Sequence, residues 1–454
     1  MNPANLRSYL PLILAVLLSF LGYFEFTQHL DRTDFPKLIA LYTALFLFFW
    51  MMYRNGKQLF WPLAVAAFLF RILTLWEPPN LSQDFYRFIW DGELILLGYD
   101  PYFENPEALY KGLREVLPNA EVLLSGMGEL SASHYSNYPP LNQLFFTLAA
   151  LLGGASLSGK ILALKLMLLV ADVGILFYGR KLLGFLQLPK HLILLYLLNP
   201  FVIIELGHNL HFEGMMMFFF LGGLWFLFNK KWLWSALFIA ASISIKLIPL
   251  MFLPLIFMFI CEREINLRSR KFITAVIYSC CVLMLFSLSF TPFFSLGNLE
   301  HFRASVNLWF STFEFNAGIY YLIREAGYLV KGYNIIGSVA PWIPYITIAT
   351  VLILAFRKSI KTPEGLITSM LWAIVIYLLI STTVHPWYLI TPLLLSILAG
   401  KQFVLIWTGL IMLSYYTYSS EPYAESALLL FLQYGIIYFL FIKEMVLGET
   451  IRAF

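Results

Sequence analysis

The chain is predicted to be an all-α polytopic membrane protein, on three observations. Hydrophobic residues make up 60% of its 454 residues and charged residues only 12%, where an ordinary soluble domain carries about 25% charge. Mean hydropathy is +0.77. Apolar runs recur along the whole length, and a membrane helix needs about 20 mostly apolar residues. Backbone polar groups in lipid must be satisfied internally, so runs of this length are read as helices.

The runs fall at residues 10–25, 37–53, 60–76, 141–152, 161–178, 192–205, 212–228, 233–260, 272–291, 338–356, 366–383, 386–398, 403–416 and 427–442. They make about 11 to 14 spans, depending on how short and long runs are counted. The first run follows Arg7 and has no small-residue cleavage site after it, so it is read as retained. The net charge of +4 gives no reason to expect nucleic acid as a partner. Cys261, Cys280 and Cys281 fit neither a disulfide framework nor a zinc ribbon.

Lys and Arg gather in cytoplasmic loops. Arg54 and Lys57 therefore place the loop after the second run inside, and the long acidic loop after the third run outside. Lys and Arg around residues 179–191 conflict with that parity, and one explanation is that residues 141–152 dip in without crossing. If both their flanks are inside, residues 233–260 must be two half-length helices, with the break at Lys246 and Pro249. Short or broken helices of this kind line cavities in a bundle.

The outer loop opens on Ser82-Gln83-Asp84-Phe85-Tyr86-Arg87-Phe88-Ile89-Trp90-Asp91-Gly92. As a helix, this segment puts Asp84, Arg87 and Asp91 on one face. Two readings stand: an intrahelical ion-pair network, or a carboxylate base beside a cation for an anionic substrate group. Tyr138-Pro139-Pro140 opens the short fourth helix, with Tyr138 a candidate lining residue. Asn199-Pro200 leads to Glu205, His208, Asn209, His211 and Glu213, ionisable and polar groups between two apolar runs. Such groups at membrane depth are costly and usually functional. Contact with sugar hydroxyls is favoured there over metal ligation by Glu205 and His208, because no full ligand set is visible; hydrated loop residues at a helix end are the other reading. Lys246 either snorkels or pairs with an anion such as a lipid phosphate. Asp172 and Lys165, seven residues apart, read as a structural pair. His385, in Val384-His385-Pro386-Trp387-Tyr388, lies on the outer side by the charge count. A second outer loop carries His301, Arg303, Trp309, Glu314, Asn316 and Arg324 and is expected to close over the site.

Taken in order from about Phe60 to Tyr388, these residues resemble the GT-C glycosyltransferases, nearest their bacterial mannosyltransferase-like branch. The segments that carry the resemblance are Asp84–Gly92 with Gly98-Tyr99-Asp100-Pro101-Tyr102, Tyr138-Pro139-Pro140-Leu141, Asn199-Pro200 with Gly207-His208-Asn209, Lys246-Leu247-Ile248-Pro249 and His385-Pro386-Trp387-Tyr388. No single one is specific; their order is. The resemblance implies a GT-C-type bundle whose large outer loops carry short amphipathic helices. It implies an extra N-terminal hairpin over residues 1–58 and a catalytic module over 59–330, with outer loops 77–137 and 293–330. C-terminal helices over 331–454 would complete the lipid-donor site.

It also implies an inverting transferase that moves a hexose, mannose before others, from a polyprenyl-phosphate donor to a hydroxyl of a glycan, lipid or protein acceptor. The expected location is the outer, periplasmic face of a bacterial cytoplasmic membrane. Asp84 would be the catalytic base. Arg87, Asp91, Tyr138, His208, Asn209, Lys246 and His385 would bind substrate or phosphate, with Arg303 a further cation for the phosphate. No cofactor is expected, since the clean Asp-x-Asp that goes with metal dependence in some relatives is missing. One base suffices, because phosphate leaves without the general acid that glycosidases require. A lipid or sugar flippase and a polysaccharide polymerase or ligase are the alternatives. The first would show paired broken helices, and the second would show a basic rather than acidic outer loop.

Overall fold

The computed structural model describes residues 3–450 apart from Glu264 and Thr312. The side chains of residues 3–8, 306–307 and 309–311 lie outside the described residues, Arg7 and Trp309 among them. The regular elements described are helices, joined by one isolated bridge between Phe315 and Thr383.

Seven described helices are long and apolar enough to cross a membrane: Tyr9–His29, Phe35–Gly56, Leu157–Phe185, Arg270–Ser289, Ile336–Ala355, Pro363–Ile380 and Ala427–Val446. Lys190–Leu197 and Pro200–His208, bent by 52°, add an eighth if they form one crossing. Leu14, Leu17, Leu21, Ile277, Met284, Ile353, Phe431 and Phe439 stand exposed on these helices. So large an apolar exterior is stable against lipid rather than water. The chain is a multi-pass membrane protein.

The other apolar runs form shorter helices: Phe60–Leu73, Pro140–Gly153, Glu213–Phe228, Trp232–Ile243, Ile248–Ile260, Pro386–Leu398 and Phe403–Ser419. Phe60–Leu73, with 14 residues, is only about 21 Å long, against a hydrocarbon core of about 30 Å. Hydropathy registers a run's composition but not its breaks, which is why the run count exceeds the number of full-length spans. Two breaks are set by proline. Pro200 drives Asn199 out of the helical region, to φ −63° and ψ 120°, and Asn199 Oδ1 caps the Phe201 N–H at 3.0 Å. The run at 233–260 divides into Trp232–Ile243 and Ile248–Ile260. Lys246 lies in the gap, as expected, and Pro249 lacks the N–H that a continuing helix would need.

The chain forms two compact units. One comprises Met1–Ser82, Lys165–His211 and Ser396–Phe454; the other comprises Gln83–Leu164 and Phe212–Leu395. In the first, charge is tolerated because it is paired. Arg71 Nε donates to Asp172 Oδ2 at 2.5 Å, Arg71 Nη1 donates to the Ala67 and Leu197 carbonyls, and Tyr196 donates to Asp172 Oδ1 at 2.6 Å. The expected Asp172–Lys165 pair is therefore replaced. Two helical turns separate those residues, and Lys165 Nζ instead reaches the Thr74 and Glu77 carbonyls, each at 2.6 Å.

In the second unit, Asp84–Leu96 packs on Pro140–Gly153 and Ala120–Ala132. Asp84–Leu96 ends in a Schellman cap: Gly98 adopts φ +81°, its N–H bonds the Ile95 carbonyl, and the Tyr99 N–H bonds that of Leu94. The Gly98-Tyr99-Asp100 turn thus has a specific backbone reason for its glycine.

Candidate active site

Asp84 begins its helix, where the N-terminal dipole favours a carboxylate. Its surroundings oppose that preference. Desolvation is the largest influence, Lys246 draws the value down and Glu213 pushes it up; the outcome is a carboxyl raised from 3.8 to about 6. Both charges therefore act on Asp84 within the second unit.

Lys246 occupies the break before Ile248–Ile260, and its Nζ lies 2.5 Å from Glu213 Oε1. Glu213 is the first residue of Glu213–Phe228 and is fully buried. Its Oε2 is also buried and has no hydrogen-bond partner among the described residues. The break is tied to Pro140–Gly153, because the Leu141 and Asn142 N–H groups both donate to the Ser244 carbonyl. The first turn of that helix thus fixes the backbone two residues before Lys246.

His385 is held extended, with φ −68° and ψ 148°, as the residue before a proline must be. Its ring stacks on Trp387 at 4.5 Å and on Phe315 at 5.0 Å. The second outer loop arrives here through backbone pairing: Phe315 N–H donates to the Thr382 carbonyl, and Val384 N–H donates to that of Phe315. Burial, with the Lys246 charge adding to it, lowers His385 to about 3. The imidazole is neutral at physiological pH, so it can offer a phosphate a hydrogen bond but no charge. Two tyrosines complete the group. The Tyr138 hydroxyl is pushed well above 10 by burial first, and also by the Asp84 and Glu213 charges. Tyr388 lies within reach of the same two charges.

Arg87 and Asp91 share the Asp84 helix but are engaged elsewhere. Arg87 donates to Asp91 Oδ1 at 2.7 Å and to the Ser131 and His134 carbonyls at 2.8 and 2.9 Å. Asp91 Oδ2 accepts from Ser136 and Gln143. This geometry knits the helix to its loop and forms the Arg87–Asp91 part of the ion-pair reading. In the second outer loop, Arg303 is exposed, and His301 stacks on Tyr135 at 3.9 Å and contacts the Tyr102 carbonyl at 3.1 Å. Arg324 pairs with Glu314 at 2.9 Å, and Asn316 donates to the Val384 carbonyl.

His208 and Asn209 belong to the first unit. His208 contacts Lys165 through Nδ1 at 3.3 Å and Asn80 through Nε2 at 3.1 Å, while Asn209 Oδ1 accepts from the Leu81 N–H. Glu205 faces Tyr415 at 2.9 Å and His211 at 3.4 Å. Glu205 and His208 therefore take different partners, because Ile203–His208 is wound as a π-turn. The wider π-turn removes the common face that an i, i+3 pair has on an α-helix. Sequence reasoning placed Glu213 with those residues; its contact with Lys246 puts it instead beside Asp84. Tyr388 was visible only as part of the His385 motif.

Residues 18–262, more than half of the chain, match the family described as alpha-(1->6)-mannopyranosyltransferase, N-terminal domain. The chain belongs to that family. It is a mannosyltransferase, an enzyme that moves a sugar from a donor to a glycan acceptor. No curated protein matches it. The matched stretch of the mannosyltransferase contains Asp84, Glu213 and Lys246, whereas His385 and Tyr388 lie beyond it.

Proposed function

We propose that this mannosyltransferase takes mannose from a polyprenyl-phosphate donor and transfers it, with inversion, to a glycan hydroxyl at the outer face of a bacterial cytoplasmic membrane. The observation that carries the reading is the grouping of a half-buried carboxylate, Asp84, with a single partly exposed ammonium, Lys246. Asp84 takes the proton of the acceptor hydroxyl as that oxygen bonds to the anomeric carbon. The bond from that carbon to the phosphate oxygen breaks, and its electron pair stays on the phosphate. A lysine has three N–H donors. With one on Glu213, two are left for the phosphate, where charge builds in the transition state. His385 adds a neutral donor. Arg87 and Asp91 keep the helix that carries the base in place.

A single displacement that yields an α-linked product requires a β-configured donor. The test supplies purified enzyme with β- and α-anomers of a mannosyl phosphoprenol and an α-1,6-linked dimannoside. Transfer from the β-anomer alone, lost in Asp84→Asn, is expected. Equal use of both anomers, or full activity of folded Asp84→Asn, overturns the reading.

A further inference from the structure

Glu213 is an odd residue to find beside a phosphate-binding lysine. Its carboxylate is fully buried, holds Lys246 through Oε1 at 2.5 Å, and leaves Oε2 without a hydrogen bond among the described residues. A buried carboxylate oxygen that is not hydrogen-bonded is expensive. No donor among the described residues disperses the charge on that oxygen. A lysine needed only for phosphate would bind it better unpaired.

The groups whose charge reaches Asp84 are Lys246 and Glu213, and the hydroxyls of Tyr138 and Tyr388 respond to both Asp84 and Glu213. His385 responds to Lys246. On the Asp84 helix itself, Arg87 is paired with Asp91. Among the described residues, the charges that act on Asp84 are therefore one ammonium and one further carboxylate, while Arg87 and Asp91, which also act on Tyr138, offset each other.

We infer that Glu213 is a positioning residue that aims Lys246 at the donor phosphate and, by its buried negative charge, drives the lipid phosphate out after transfer. The inference rests on the polyprenyl-phosphate reading above. Before reaction the donor is a phosphodiester with one negative charge. After the sugar leaves, the lipid carries a phosphate monoester with a charge approaching two, since its second ionisation lies near 6. Repulsion from Glu213 thus grows as the reaction proceeds, when release of the product is wanted. Lys246 stays in register throughout because its partner is rigidly buried. Glu213 also raises the carboxyl of Asp84, which makes it a better base at neutral pH.

The test compares wild type with Glu213→Gln, which keeps an oxygen acceptor for Lys246 but removes the charge. Binding of farnesyl phosphate is measured by inhibition and by direct titration, along with kcat, KM and the acidic limb of the pH profile. Expected are roughly tenfold tighter farnesyl phosphate binding, a lower kcat with KM unchanged or reduced, and an acidic limb displaced downward by roughly half a pH unit. Lys246→Met, read in the same assay, should weaken farnesyl phosphate binding. If Glu213→Gln leaves both the affinity and the acidic limb where they were, Glu213 only props Lys246 and the inference fails. If wild type binds no farnesyl phosphate, the donor reading falls and the release role falls with it. The acidic limb, measured with whatever donor is active, still reports whether Glu213 tunes Asp84.

Discussion

Arg87 donates to Asp91 at 2.7 Å, one helical turn along, and both side chains are almost completely buried. The pair is further held by the Ser131 and His134 carbonyls, Ser136 and Gln143. Removing one partner strands a buried charge, which costs about 3–5 kcal/mol. Asp91→Ala is therefore expected to lower the thermal midpoint strongly in detergent micelles. The fraction that folds should keep a near-normal KM, because the pair holds the helix rather than the substrate. A large KM increase with unchanged melting would instead assign Arg87 to the phosphate.

Gly92 marks where the Asp84 helix meets Pro140–Gly153. A Cβ there would lie 2.3 Å from the Phe146 carbonyl oxygen. That atom is backbone and cannot swing aside, so Gly92→Ala must push the two helices apart. The expected cost is about 1–3 kcal/mol, accompanied by loss of transfer activity, since Pro140–Gly153 also anchors the Lys246 break. Melting and turnover measured on the same preparation check this. An unchanged melting temperature would show that the contact is easily relaxed.

Much of this architecture is legible in composition and punctuation. The broken helix at Lys246 follows from charge parity and Pro249, and the bend at Asn199-Pro200 follows from what a proline does to the residue before it. Asp84, Lys246 and His385 stand out because ionisable groups are scarce in a chain this apolar. What the sequence could not carry is partner choice. Arg87 lies three residues from Asp84 and four from Asp91, and helical spacing alone does not choose between them; the loop carbonyls do. The placing of Glu213 was obscured by its neighbours, because it stands with Glu205, His208 and His211 between the same two apolar runs. A π-turn at Ile203–His208 and a new helix starting at Glu213 separate them. Likewise, a 14-residue apolar helix with one buried face and one half of a span have the same hydropathy.

Lys246 and Glu213 offer a cycle that separates folding from function. Lys246→Met leaves the Glu213 carboxylate buried and unpaired, so it is expected to lose on the order of 3 kcal/mol of stability as well as activity. Lys246→Met combined with Glu213→Gln removes the stranded charge. The double variant should regain most of the lost stability while transfer stays at least about a hundredfold down, because the ammonium for the phosphate is gone. Thermal unfolding and single-turnover transfer give the two readouts. Activity restored along with stability would remove Lys246 from the chemistry.

Asp84 links activity and stability to pH with opposite signs. Its carboxyl titrates near 6 in the folded protein, above its ordinary value of 3.8. As a base it must be ionised, so kcat/KM should fall about tenfold per pH unit below 6. For stability, a folded value above the unfolded one means that the native state binds the proton more tightly. The stabilisation this brings is complete below about pH 4 and is lost as pH rises through about 6. At pH 7 the ionised group is thus a liability, on the order of 2 kcal/mol after allowance for its partial exposure. Asp84→Asn, which mimics the neutral acid, should be inactive yet more stable than wild type at pH 7, with the gap closing as the pH approaches 4. Melting curves of both proteins across that range decide the matter. A wild type that is the more stable of the two at pH 7 would mean that Asp84 is held by a structural partner rather than kept under tension for catalysis.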